Sequence, residues 1–94
     1  MKTYQINGTD VSCSHEIKTD EETHLTAVHV TVKAGDGNDA IELTHVLTIG
    51  AEDHPLPEGY DTESLQRDLD VFREKHARMA ESKLRAKQLA KSLQ

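Results

Sequence analysis

Apolar and polar residues alternate with period two in three stretches of this chain, and in a fourth, longer stretch the apolar residues recur every three and four. Val11, Cys13, His15 and Ile17 alternate with Ser12, Ser14, Glu16 and Lys18, the pattern of a strand with one face on a core. Asn7-Gly8 precedes it. Such a pair favours positive φ at both turn positions, so Lys2 to Ile6 is expected to pair back on this strand as a first hairpin. Thr26, Val28, Val30 and Val32 give a further strand, and Ile41, Leu43, His45, Leu47 and Ile49 the last. With Asp36-Gly37 as a two-residue turn, Val32 falls opposite Ile41, Val30 opposite Leu43 and Val28 opposite His45, and the apolar faces coincide. The polar run Thr19-Asp20-Glu21-Glu22-Thr23 joins the hairpins. The expectation is an α+β fold: a four-stranded antiparallel β-meander over 1–49, made of two consecutive hairpins, packed on one long C-terminal helix.

Gly50 to Tyr60 contains Pro55, Pro57 and Gly59, which end the sheet and form a linker over 50–60. From Asp61 to Gln94 there is no glycine or proline. Asp61 or Thr62 is placed to cap this helix, acidic residues fill its first turns and basic residues its end, all in the sense that the helix dipole favours. Glu74 with Arg78 and Glu81 with Arg85 are i,i+4 pairs. Leu65, Leu69, Phe72, His76 and Met79 form the stripe expected to lie on the sheet. A helix of roughly 32 residues spans ~48 Å and a ten-residue strand ~33 Å, so about ten helical residues at its basic end are expected to overhang the sheet. The series Leu65, Leu69, Phe72, His76, Met79, Lys83, Ala86, Ala90, Leu93 keeps a 4-3 spacing, the period of a coiled-coil seam.

Charge divides along the same line. Residues 1–72 hold fifteen acidic and four basic side chains and 73–94 hold two and seven, giving −11 and +5 within a total of −6. Leu, Ile, Val and Phe make only 20 of the 94 residues, so a monomeric core would be small and a homodimer is expected to relieve it. Cys13 has no partner for a disulfide, Met1 to Gln5 is not an apolar leader, and no run approaches the ~18 apolar residues of a membrane span. These features give the expectation of a single soluble, cytoplasmic domain over 1–94.

Chemical motifs are sparse. Cys13, His15 and His45 on the inner sheet face, with His76 on the helix stripe, offer zinc ligands by type. In the register above, however, His15 and His45 flank Val28 at ~9.6 Å, wide for one small ion, so no metal and no cofactor is assigned. Ala34-Gly35-Asp36-Gly37-Asn38-Asp39-Ala40-Ile41 resembles one copy of the calcium-binding nonapeptide of repeats-in-toxin proteins. Those repeats bind calcium between stacked copies, and the single copy here reads as a hairpin turn. The acidic run at Asp20 reads as a solvated turn. No phosphate loop, His-Glu-x-x-His motif or nucleophile with an evident base is present, and no enzymatic activity is expected.

What remains is the basic helix end. The sequence points to a non-enzymatic module that self-associates and binds a protein partner through Lys83, Leu84, Arg85, Lys87, Leu89, Lys91 and Leu93. A nucleic-acid accessory role for the same cations, and a small zinc protein, are the alternatives. Small size and segregated charge suit an accessory gene product of a bacterium or its phage.

Overall fold

The computed structural model describes residues 1–93, and Gln94, the last residue of the expected helix, lies outside the described residues. Strands β1 (Lys2–Ile6), β2 (Thr9–Thr19), β3 (Thr26–Ala34) and β4 (Ile41–Ile49) form one antiparallel sheet in the order β1-β2-β3-β4, and helix α1 (Thr62–Ser92) packs on one face of it. The α+β meander expected from the alternation is the observed architecture. Asn7 and Gly8 take φ of 51° and 79°, the two positive values that a tight hairpin turn needs, and β1 pairs back on β2 from Ile6 opposite Thr9 to Lys2 opposite Cys13.

The second hairpin departs from expectation by two residues. Val32 lies opposite Leu43, Val30 opposite His45 and Val28 opposite Leu47, with Ala34 opposite Ile41. Asp36-Gly37 fails as a two-residue turn because Asp36 is extended, at φ −132°. Gly35 and Gly37 take the positive φ values instead, and Gly37–Asp39 makes one turn of 3-10 helix. A shift of two residues preserves the face of every side chain, so the core lies on the expected side. Asp20 closes the β2–β3 loop by accepting from the amides of Glu22 and Thr23, a solvated turn that shapes itself.

Inner-face residues of β3 are the best covered: Val28, Val30, Val32 and Ala34 have no exposure, as do Val11 and Cys13 of β2. Opposing them on α1 are Leu69, Ala77, Ala80 and Leu84. Asp61 caps the helix by accepting from the Ser64 amide at 3.0 Å. At ~1.5 Å per residue its 31 residues reach ~46 Å, which accounts for a longest dimension of 52 Å and a radius of gyration of 15.9 Å, against the ~12 Å of a compact chain this size.

The buried stripe does not stop at Met79, which is 37% exposed. It continues through Ala80, Glu81 and Leu84. A straight helix turns 3.6 residues per turn, so its covered line drifts away from a 3.5-residue seam by ~20° per heptad. The contact therefore passes from Leu69 and His76 to Ala80 and Leu84 rather than to Met79 and Lys83.

Candidate interaction surface

Three contacts fasten the second half of α1 to the end of the sheet that carries the hairpin turns. Leu84 reaches over Gly35, where a β-carbon would stand 3.0 Å from Cδ2 of the leucine. Glu81, 3% exposed, accepts from Nδ2 of Asn7 in the β1–β2 turn at 3.2 Å and pairs with Arg85 at 3.3 Å. Asp39, from the 3-10 turn, faces Lys87 at 3.7 Å and Lys91 at 2.5 Å. The hydrogen bond from Lys91, with the charges of both lysines, holds the Asp39 carboxyl below its ordinary value.

These contacts divide the seven residues expected to form one surface. Leu84 packs into the core between helix and sheet, 5% exposed. Lys87 and Lys91 are turned toward Asp39, and Arg85 toward Glu81. Lys83 is exposed, and Leu89 and Leu93 are 63% and 89% exposed. Position on the helix explains the division. At ~100° per residue, Leu89 and Leu93 lie ~140° and ~180° round from Leu84, so burying one leucine turns the other two away from the sheet. The same arithmetic applied to the sequence separates them, whereas grouping by residue type does not. The ten-residue overhang is likewise shorter than expected, because Lys91 still reaches the sheet's turn.

The four candidate metal ligands also divide. His15 and His45 flank Val30, not Val28. His15 is exposed and Cys13 is fully buried, with burial raising its thiol pKa against the pull of Arg73 and Lys2. His45 and His76 do meet, but as stacked rings with centroids 3.6 Å apart and planes at 21°, and Phe72 lies edge-on to His76 at 4.3 Å. Nitrogen lone pairs lie in the ring planes, so stacked imidazoles do not converge on one ion. Among the described residues no three His, Cys, Asp or Glu side chains gather as a metal site. Nε2 of His45 and Nδ1 of His76 are buried without a hydrogen-bond partner among the described residues. Burial first, then His45 and Lys75, holds His76 below the usual imidazole pKa.

No helix among the described residues is long and apolar enough to cross a membrane. No family model matches the chain, and no curated protein or solved structure matches it.

Proposed function

We propose that the chain is a non-enzymatic cytoplasmic interaction module that self-associates and holds a protein partner on the outward side of its helix end. The observation that carries this reading is the exposure of Leu89 and Leu93, four residues apart on the face opposite the sheet. Two leucines at this spacing are the anchors of a helix laid into an apolar groove. Because Leu84, Glu81 and Lys91 fasten the same helix to the sheet, the anchors are held ready and little ordering cost attends docking.

The test is affinity capture from a host lysate with the wild-type chain and with the L89S/L93S variant, followed by binding of the purified captured protein to each. Retention by the wild-type chain and loss by the variant is the expected result. Equal retention by both refutes the assignment of this surface.

A further inference from the structure

We infer that two copies of this chain pair antiparallel through the free edge of β4, about a two-fold axis at His45, to make an eight-stranded sheet with both helices on one face. The inference supplies the surface for the self-association proposed above and does not depend on the partner-binding half of that reading.

β4 is an edge strand of nine residues, and among the described residues its only strand neighbour is β3. Every second residue therefore turns its N–H and C=O away from the sheet. Edges of this length are ordinarily blunted by lysine, proline or a bulge. β4 has none of these: it reads Ile-Glu-Leu-Thr-His-Val-Leu-Thr-Ile, and its pairing with β3 is continuous. By contrast β1, the opposite edge, is five residues long and carries Lys2.

The sequence of β4 is close to a palindrome about His45. Antiparallel pairing of two copies with His45 opposite itself sets Ile41 against Ile49, Leu43 against Leu47, Thr44 against Val46 and Glu42 against Thr48. Apolar meets apolar along the inner face, and the only charge, Glu42, meets a threonine, so no like charges are opposed. All nine residues pair in this register, and each inner residue stays on the inner face.

Burial carries the same message. The inner residues of β3 from Val28 to Ala34 are fully covered, whereas Ile41, Leu43, His45, Leu47 and Ile49 of β4 are all only half-buried. The free edge borders this half-exposed surface, and residues 54–57 of the same chain cover part of it at Leu47 and Ile49. α1 also leaves apolar surface there. His76 marks the β4 side of the helix by its stack on His45, and Glu81, ~140° further round, marks the opposite side by its bond to Asn7. Leu65, Phe72 and Met79 lie within ~60° of His76, turned away from Glu81. Leu65 and Phe72 are half-buried and Met79 is more exposed still. These are members of the 4-3 seam. The helix touches all four strands, β3 and β4 most; centred near β3, with strands ~4.8 Å apart, it stands ~7 Å from the axis, so the two seams face each other across ~14 Å, a gap that their side chains and not their backbones narrow.

Sedimentation of the full-length chain tests this with two variants that leave the monomer's core untouched, because Thr44 and Val46 point outward from the uncovered face and are exposed. T44E/V46E sets two glutamates opposite two glutamates across the axis, whereas T44K/V46E sets lysine opposite glutamate. A wild-type dimer, a dimer constant weakened at least about tenfold in T44E/V46E, and a dimer restored in T44K/V46E are expected, with circular dichroism unchanged throughout. A wild-type dimer that T44E/V46E leaves intact overturns the β4 pairing while self-association by another surface stands. A wild-type monomer overturns both. L89S/L93S is expected to remain dimeric, which separates this interface from the partner surface.

Discussion

Leu84 on the helix lies directly over Gly35 in the β3–β4 connection, the two in van der Waals contact because the glycine has no β-carbon. Gly35 has φ +80° as well, so two independent constraints disfavour a side chain there. Leu84→Ala is expected to cost ~2–5 kcal/mol, by lost burial and a residual cavity. Gly35→Ala is expected to cost at least ~1–2 kcal/mol from the left-handed backbone alone, plus whatever displacement of Leu84 follows. Urea unfolding midpoints measure both.

By contrast L89S/L93S is expected to change stability by no more than ~0.5 kcal/mol, since surface substitutions that touch nothing lie in that range. Comparing urea midpoints of Leu84→Ala and Leu89→Ala checks the claim that neighbouring leucines of one helix do different jobs. A large loss for Leu89→Ala contradicts its exposure.

Asn7→Gly isolates the bond to Glu81. Glycine accepts the positive φ of the turn at least as well as asparagine, so the remaining effect is the loss of a hydrogen bond to a buried carboxylate. The expected cost is ~1.5–3 kcal/mol. Asn7→Gly in a Glu81→Gln background should cost less, and this double-mutant cycle measures the coupling.

Stability should also respond to mild acid. The folded-state pKa of His76 is depressed from the ordinary 6.5, so the unfolded chain binds the proton more readily. Its contribution is therefore fully present above pH 6.5 and is lost as pH falls through the folded value. The groups facing His76 are the His45 imidazole on β4 and the Lys75 ammonium on its own helix, and a proton on His76 is opposed by its burial between them. His76→Phe should flatten this limb of the stability profile. The carboxylates with lowered pKa, Asp39, Asp61 and Asp70, act only below 3.8 and leave it unaffected.

The sequence reading succeeds where one local rule decides and fails where two compete. Asn7-Gly8 gives the first turn because asparagine tolerates positive φ and nothing else nearby offers it. Gly35, Asp36 and Gly37 offer two glycines, and the chain uses both, leaving Asp36 extended and the register two residues from that of a tight turn. The inner face was legible regardless, because period-two alternation survives an even shift. The helix was legible from its caps and its lack of breakers. Its line of contact was not, since the 4-3 spacing of Leu65 to Leu93 and the 3.6-residue line through Leu69, Ala80 and Leu84 agree at the start and diverge later. Small residues also hide core positions: Ala77 and Ala80 are wholly buried, yet alanine carries no signal in an apolar count.

The chain's one thiol, on Cys13, sits at zero exposure in the layer between sheet and helix. An alkylating reagent can reach it only in molecules whose helix has lifted, so the labelling rate at fixed pH counts rare openings of the native state. This gives the protein an internal clock for breathing, readable by mass spectrometry without added probes, and any ligand that clamps the helix should slow it.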